Sequence, residues 1–198
     1  MQVTLATSTR LLLTLYFALL ATVQLGCSSS DTQINGDHPM TIIVTSSAFD
    51  DKQPIPKKYT VDGEDRSPPL SWSGVPEGTK QLALICDDPD APRAEPWVHW
   101  VIYHLPADLK SLPEAVSPSE LLDDPAGAYQ GANSWSSGQT IGYRGPAPPP
   151  GNPHRYYFKL YALDTELDLE PGLDKDALLQ AMQGHILAEG QLMGTYQK

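Results

Sequence analysis

Nineteen prolines, spread along a chain of 198 residues, are the feature that most limits the folds open to this sequence. Proline fixes one backbone torsion and has no N–H to donate, so it interrupts the interior of a helix. We therefore expect a β architecture with many loops rather than a helical bundle. The length is sufficient for one domain of ordinary size with a buried core.

Several β-branched and apolar segments predict strands. The run at residues 81–86 is largely apolar and does not alternate with polar residues, which is typical of a strand buried on both faces. The segments 97–105 and 155–163 are rich in aromatic and aliphatic residues and predict two further strands. Shorter strands are predicted at residues 41–45, 58–61, 70–72 and 187–196.

Strand periodicity assigns the side chains of these segments to faces. In the segment 97–105, His99 is expected on one face with Val101 and Tyr103, because every second side chain points the same way. His154 and Tyr156 share a face at the start of the third long strand. Both histidines are therefore expected on a rigid scaffold, within a strand or at its beginning.

One helix is predicted, at residues 174–183. Asp174 can cap its N-terminus and Gly184 suits its end. Residues 106–151 have no clear element and are expected to be mostly irregular. Because strands predominate and do not alternate with helices, the fold class expected is mainly β, an antiparallel β-sandwich with one or two C-terminal helices. The apolar face of the helix consists of Ala177, Leu178, Ala181 and Met182.

The charge balance argues against nucleic acid as a partner. The formal net charge is −11 and the pI is about 4.7, whereas a protein that binds nucleic acid non-specifically needs a basic face. A recessed pocket in an acidic protein still has its own local field, so a small anion is an admissible ligand.

The N-terminus resembles a bacterial export signal. Arg10 is the only charged residue before Asp31, and the apolar run that follows it ends near Gly26-Cys27. Such a run is short for a transmembrane helix and suits the apolar region of a signal peptide. Gly26-Cys27 is similar to a lipoprotein cleavage site, although Gln24 stands where that motif usually has leucine.

This pattern divides the chain into three parts. We expect a lipoprotein signal peptide at residues 1–26, a flexible tether at 27–39 and one domain at 40–198. Acyl chains on Cys27 would anchor the protein at a membrane surface of the bacterial cell envelope. An ordinary signal peptide, which would leave a soluble periplasmic or secreted protein, is the alternative.

The two cysteines predict no disulfide framework. Cys27 is the candidate for lipidation, which leaves Cys86 as a single thiol without a partner. Cys86 ends an apolar run, so a small buried apolar side chain is a better interpretation than a nucleophile.

Two turn-rich segments supply the polar side chains from which a site could be built. Asp88 and Asp90 directly follow a buried strand, and His99 lies within the next one. If the strand that begins with His154 and Tyr156 is a neighbour, imidazoles, a phenol and carboxylates converge into a set that can receive phosphate or carboxylate. Each group alone has a plainer role: the aspartates could form a solvated turn, and His99 could be a hydrogen-bonded core residue.

The order of these motifs resembles the two signature regions of the phosphatidylethanolamine-binding protein (PEBP) family, and in particular its bacterial Raf kinase inhibitor-like branch. The first region is Asp-Pro-Asp-Ala-Pro at residues 88–92, followed by Trp-Val-His-Trp at 97–100. The second is Gly-Tyr-Arg-Gly-Pro at 142–146, which continues through a proline-rich turn to His-Arg-Tyr at 154–156. The likeness covers residues 40–196.

The resemblance implies a large and a small antiparallel sheet with peripheral helices. It also implies a pocket for the phosphate of phosphatidylethanolamine or a similar anion, and we expect no cofactor and no bound metal. Pro153 and residues 135–139 depart from the family pattern, which implies a reshaped rim. Carried over by position, the ligand-binding residues are Asp88, Asp90, His99, His154 and Tyr156, with Trp97, Gly145 and Pro148 as weaker candidates for the wall.

The function expected is that of an exported binding protein for a phospholipid head group or a related small anion, and not that of an enzyme. A regulator or inhibitor of a protease or other protein, acting through the rim loops, is the alternative, with no partner identified. Two histidines and two aspartates could also hold a divalent metal ion in a hydrolase. Against a hydrolase, the sequence contains neither His-Glu-x-x-His nor Gly-x-Ser-x-Gly.

Overall fold

The computed structural model describes residues 40–198. The predicted signal peptide, the tether and Cys27 lie outside the described residues. Within them the chain forms ten strands, one α-helix, α1 (Lys175–Met182), and one 3-10 helix. The strands are β1 (Met40–Thr41), β2 (Ile43–Thr45), β3 (Leu70–Ser73), β4 (Gln81–Asp88), β5 (Trp97–Pro106), β6 (Ser111–Leu112), β7 (Leu121–Asp123), β8 (Ala126–Gln130), β9 (His154–Leu163) and β10 (Ile186–Tyr196).

The strands form two sheets that pack face to face. The large sheet has seven strands in the order β1-β10-β9-β4-β5-β8-β7, and the small sheet has three in the order β2-β3-β6. Every named pair is antiparallel except β1 with β10. This arrangement confirms the prediction of a mainly β fold with a large and a small antiparallel sheet.

The main core lies between the two sheets. Trp72 of the small sheet and Trp100 and Phe158 of the large sheet are among its buried side chains. A second apolar cluster covers the opposite face of the large sheet, where Leu178 and Met182 of α1 are completely buried. Burial of a side chain of this size stabilises a fold by about 2 kcal/mol, so the outer cluster fixes α1 firmly on the sheet.

The predicted first strand at residues 41–45 is in fact two strands in different sheets. β1 pairs with β10 in the large sheet, whereas β2 pairs with β3 in the small sheet. The chain changes sheets at Ile42, whose side chain is buried and whose N–H donates to the Glu189 carbonyl at 2.9 Å. The β-branched run predicted extended backbone correctly, but it contained no signal for the change of sheet.

One other local prediction was wrong. Residues 58–61 do not form a strand, because Lys57–Tyr59 is a 3-10 helix in which the Thr60 N–H donates to the Lys57 carbonyl at 3.0 Å. The segment 106–151 is mostly irregular, as predicted, although it contains the short strands β6, β7 and β8. These strands are two to five residues long, too short to give a periodic pattern.

The helix predicted at residues 174–183 is present and spans Lys175–Met182. Its cap is Asp174, whose carboxylate accepts a hydrogen bond from the Ala177 N–H at 2.8 Å. Between residues 40 and 198, no helix combines the length and the apolar character needed to cross a membrane.

Candidate functional site

The site lies where three neighbouring strands of the large sheet have their ends on one edge. β4 is antiparallel to both β5 and β9, so its last residue lies beside the first residues of those strands. Asp88 is paired with Trp97 in this register, and Asp87 is paired with Tyr157. Residues from both sequence motifs are thereby brought to one edge of the sheet. The sequence predicts this convergence if the strand that begins with His154 is a neighbour, and that strand is paired directly with β4.

A β-bulge in β5 decides where His99 points. Trp100 is paired with Cys86 and Val98 with Asp87, which leaves His99 as the extra residue. Strict alternation predicted His99 on the face of Val101, under α1, and this prediction was wrong. The imidazole instead contacts the ring of Tyr156, whose side chain belongs to the core between the sheets.

His99 is buried, and a hydrogen bond to the backbone holds its imidazole. Its Nδ1 lies 2.6 Å from the Arg144 carbonyl oxygen, and because a carbonyl only accepts, Nδ1 carries the proton. Burial lowers the pKa of His99 to about 4, against the opposing effect of the Arg144 carbonyl. The ring is therefore neutral near pH 7, and its Nε2 presents a lone pair that can accept a hydrogen bond.

The carboxylate of Asp88 and the imidazole of His154 form a hydrogen-bonded pair at the same edge of the sheet. His154 Nδ1 lies 2.7 Å from Asp88 Oδ2, and the Asp90 N–H donates to Asp88 Oδ1 at 2.8 Å. The Asp88 side chain is only 5% exposed and that of His154 12%. Both carboxylate oxygens are thus occupied, which fixes the orientation of His154.

Asp90 does not line the pocket. Its carboxylate accepts hydrogen bonds from Nε and Nη2 of Arg155 at 2.9 and 2.7 Å, and from the Arg155 N–H at 2.9 Å. These hydrogen bonds, together with the positive charge, lower the pKa of Asp90. Asp90 therefore ties the turn after β4 to the start of β9 and supports the site from behind.

Tyr156 contributes a buried phenol beside His99. Its side chain is 1% exposed, and its hydroxyl has no hydrogen bond within the described part of the chain. Its ring meets that of His99 edge to face, with centroids 5.0 Å apart. Burial, then the charge of Asp88 and a weak hydrogen-bonding contribution from the same carboxylate, raise the pKa of this phenol well above its usual range. The two oxygens of Asp88 are already engaged by His154 and the Asp90 N–H. The hydroxyl therefore stays protonated and has a proton to donate.

Several of these residues line a pocket of about 290 Å³. Five of the predicted residues line it: Asp88, His99, His154, Trp97 and Pro148. The other three are not part of the lining surface: Asp90, Tyr156 and Gly145. The complete lining consists of Asp88, Ala91, Pro92, Arg93, Trp97, His99, Trp135, Ala147, Pro148, Pro149 and His154.

Gly145 has a structural role beside the pocket. Its N–H donates to Asp65 Oδ1 at 2.7 Å. A Cβ atom at this position would lie 2.3 Å from the Tyr59 carbonyl oxygen, so only glycine lets the two segments approach this closely. The second motif thus holds its loop against residues 59–65.

Sequence reasoning missed Arg93 and Trp135 as lining residues. Arg93 lies between the two halves of the first motif, where its position in the loop gave no sign of its direction. Trp135 lies in the stretch that departs from the family pattern, and that departure was the available signal. The ring of Trp135 meets those of Trp97 and His99 edge to face, with centroids 5.2 and 5.0 Å apart.

The carboxylate, the imidazoles and the phenol of the site are hydrogen-bonding groups. Cys86 lies nearby in β4, but it is completely buried and its burial raises the pKa of the thiol well above the usual value. Residues 40–198 contain no group of three or more His, Cys, Asp or Glu side chains placed to hold a metal ion.

Comparisons with known proteins place these observations in a family. The sequence model described as phosphatidylethanolamine-binding protein matches residues 45–197. The UPF0098 protein of Methanothermobacter thermautotrophicus is 56% identical over 151 residues, which are 76% of this chain and 95% of that protein. The UPF0098 protein of Chlamydia muridarum is 46% identical over 159 residues, which are 78% of this chain and 98% of that protein.

Solved structures agree with the sequence relatives. The PEBP homologue CT736 of Chlamydia trachomatis is 44% identical and superimposes with a TM-score of 0.71, covering 80% of this chain and 99% of its own. Escherichia coli YbcL, described as a member of the mammalian PEBP family, is 30% identical with a TM-score of 0.73, covering 79% and 98%. This chain belongs to the phosphatidylethanolamine-binding protein family.

Proposed function

We propose that the pocket binds a small phosphate-bearing ligand without carrying out chemistry on it. The observation that carries this proposal is the buried Tyr156 hydroxyl, which has no hydrogen bond within residues 40–198 and whose ring packs against His99 of the pocket wall. A buried polar group left unpaired costs about 1–3 kcal/mol, so such groups are rare unless a ligand or water completes them. A phosphate oxygen is a suitable acceptor for this proton.

The size of the pocket limits what can enter. A volume of about 290 Å³ lies at the lower end of small-molecule sites, which start at roughly 300 Å³. The pocket suits a phosphate group with a few attached atoms and is too small for acyl chains. For a phospholipid, the head group would enter and the chains would stay outside.

The hydrogen-bonding groups define the ligand further. Tyr156 donates, whereas neutral His99 offers an acceptor at Nε2. A ligand that matches both carries an acidic oxygen and a hydrogen-bond donor close together. A phosphate monoester supplies the donor as P–OH, and a phosphoethanolamine head group supplies it as an ammonium N–H. The two sources share this chemistry, and the comparison of ligands below separates them.

Isothermal titration calorimetry on residues 40–198 tests the proposal. The probes are inorganic phosphate, O-phosphoethanolamine, and vesicles containing phosphatidylethanolamine or only phosphatidylcholine, which has neither P–OH nor ammonium N–H. We expect binding of the first two and of phosphatidylethanolamine vesicles in preference to phosphatidylcholine. Binding of free phosphates without vesicles would assign a free ester as the ligand.

Paired variants locate the binding. His154→Asn should abolish phosphate binding, because it removes the imidazole that lines the pocket. His185→Asn is the matched control, since His185 is an exposed histidine whose Nδ1 also pairs with an aspartate, Asp164, at 2.9 Å. Absence of binding by every probe, or equal binding by both variants, would refute the proposal.

We also propose that the protein is held at a membrane of the bacterial cell envelope through a lipidated Cys27. The support is the sequence pattern of residues 10–27, and the anchor would work through acyl chains. Expression of the full chain as Cys27→Ser should move the protein from the membrane fraction to the aqueous fraction. Unchanged membrane association of this variant would refute the anchor.

A further inference from the structure

Arg93 lies at the rim of the pocket in a defined position. It is exposed, it lines the pocket, and its guanidinium carbon lies 4.2 Å from the centroid of the Trp97 ring. A tight turn supports it, in which the Arg93 N–H donates to the Ala91 carbonyl at 2.6 Å. Stacking of this kind holds a guanidinium over an aromatic face and leaves its N–H edges free for a ligand.

The neighbouring cations have other partners. Arg155 is bound to Asp90 through two guanidinium nitrogens. Arg144 lies over Trp135 instead, and its Nη1 donates to the Ser137 carbonyl at 2.9 Å. Arg93 forms no ion pair with any residue in the range 40–198. Among the lining residues it is the one with a permanent positive charge.

The pocket needs such a charge if it is to hold an anion. The carboxylate of Asp88 forms part of the wall, and the net charge of the chain is −11. Both disfavour a second negative charge in the pocket. A guanidinium at the rim offsets this field, and its planar fork fits two oxygens of one phosphate group.

We propose that Arg93, stacked on Trp97, is the residue that gives the pocket its selectivity for phosphate-type anions by forming a bidentate contact with the bound group. This inference rests on the proposed function, and it adds a residue outside the set that the sequence predicted. Arg93 binds the ligand from the rim, while His99 and His154 meet it from inside.

Calorimetry with inorganic phosphate and O-phosphoethanolamine tests the role of Arg93. Arg93→Gln should weaken the binding of both by about tenfold, as expected for a charge-assisted contact at a partly exposed site. It should also flatten the dependence of affinity on salt between about 50 and 500 mM, because the screened charge is gone. Arg93→Lys should keep the salt dependence but lose part of the affinity, since lysine lacks the fork.

A charge-matched control separates the contact from a general effect of net charge. Lys80→Gln removes one positive charge from an exposed residue at the far end of β4, about 25 Å from Asp88. We expect it to bind phosphate like the unchanged protein. Without ligand, the thermal unfolding temperatures of the Arg93 and Lys80 variants should equal that of the unchanged protein, because both residues are exposed.

The outcomes distinguish this inference from the proposed function. If the unchanged protein binds phosphate and His154→Asn does not, while Arg93→Gln binds with unaltered affinity and salt dependence, the role of Arg93 is refuted and the pocket stands. Equal losses in Arg93→Gln and Lys80→Gln would also refute the specific contact. If no variant and no unchanged protein binds phosphate, the proposed function itself fails.

Discussion

His99 and Tyr156 meet edge to face, with ring centroids 5.0 Å apart and planes inclined by 84°. The two side chains differ in the hydrogen bonds that their polar atoms form. His99 is fixed by the hydrogen bond between Nδ1 and the Arg144 carbonyl, whereas the Tyr156 hydroxyl has no partner within residues 40–198. The imidazole of His99 is thus fixed in place, whereas the hydroxyl of Tyr156 still has a proton to donate. This arrangement suits a ligand that supplies the missing acceptor.

Tyr156→Phe should increase stability and reduce binding at the same time. The change removes an unpaired buried hydroxyl and keeps the ring, so we expect the free energy of unfolding to rise by about 1 kcal/mol. Phosphate binding should weaken, because the internal donor is lost. Urea denaturation and calorimetry measure the two effects.

Tyr143→Phe is the control for this prediction. The Tyr143 hydroxyl donates to the Tyr59 carbonyl at 2.6 Å and is also buried. Its removal should lower the free energy of unfolding by about 1–2 kcal/mol, since a buried carbonyl loses its partner. A destabilised Tyr156→Phe would mean that the hydroxyl already has a partner.

Stability should fall in mild acid because His99 is buried as a neutral ring. The folded pKa is about 4, below the usual value of about 6.5. Folding therefore disfavours the protonated form: the stability is complete above about pH 6.5 and declines as the pH falls to about 4. The loss attributable to this group is about 3 kcal/mol over that window.

His99→Gln isolates this effect. Urea denaturation at intervals between about pH 7 and 4 should show a smaller decline in the variant than in the unchanged protein, because glutamine does not titrate. Carboxylates such as Asp90, whose pKa is lowered, contribute to both proteins alike and only at lower pH. Identical declines would show that His99 is not buried as a neutral ring.

Asp87→Asn should be strongly destabilising. The Asp87 side chain is 1% exposed, and it accepts from Lys159 Nζ at 2.9 Å and from Lys175 Nζ at 2.6 Å. Removing the charge leaves two lysines without their partner, of which Lys175 is only 15% exposed. We expect a loss of about 3 kcal/mol in thermal or chemical unfolding.

An exposed acid serves for comparison with Asp87. Asp164 pairs with His185 at 2.9 Å, and both side chains are more than two-fifths exposed. Asp164→Asn should therefore cost less than about 1 kcal/mol. Similar losses for the two variants would contradict the view that burial makes the Asp87 cluster important.

Gly190→Ala should disturb the point where the chain changes sheets. A Cβ at residue 190 would lie 1.9 Å from the Ile42 carbonyl oxygen and 2.9 Å from Ile42 Cβ. The backbone of β1 and β2 would have to move, at a cost of about 2 kcal/mol or more. Gly78→Asn is the control, because no atom of residues 40–198 lies within 4 Å of the Cβ site and asparagine tolerates its φ of +87°. A stable Gly190→Ala would mean that β1 and β2 move apart easily.

Much of the fold could be predicted from the sequence because it depends on local patterns. The long strands β4, β5 and β9 follow from apolar runs, and α1 follows from its cap at Asp174 and its apolar face. The short strands β6 to β8 could not be predicted, because two to five residues do not establish a period. Their place in the sheets depends on pairing with distant segments.

The candidate site was predicted as a set of residues but not as an arrangement. The two motifs contained Asp88, His99 and His154, and neighbouring strands were needed to bring them together. Alternation placed His99 on the wrong face, because a bulge inserts one residue against Cys86 and Asp87 and reverses the direction of the side chain. Such a register shift belongs to a pair of strands and cannot be seen in either strand alone.

The sequence by itself determined the long strands β4, β5 and β9, the helix α1 and the chemical groups available to a site, since these depend on neighbours along the chain. Tertiary structure decided the pairings: Asp88 with His154, Asp90 with Arg155, and Arg93 with Trp97. It also left the Tyr156 hydroxyl without a hydrogen bond among the described residues. These outcomes depend on strand register and on contacts between residues far apart in sequence, which no local pattern specifies.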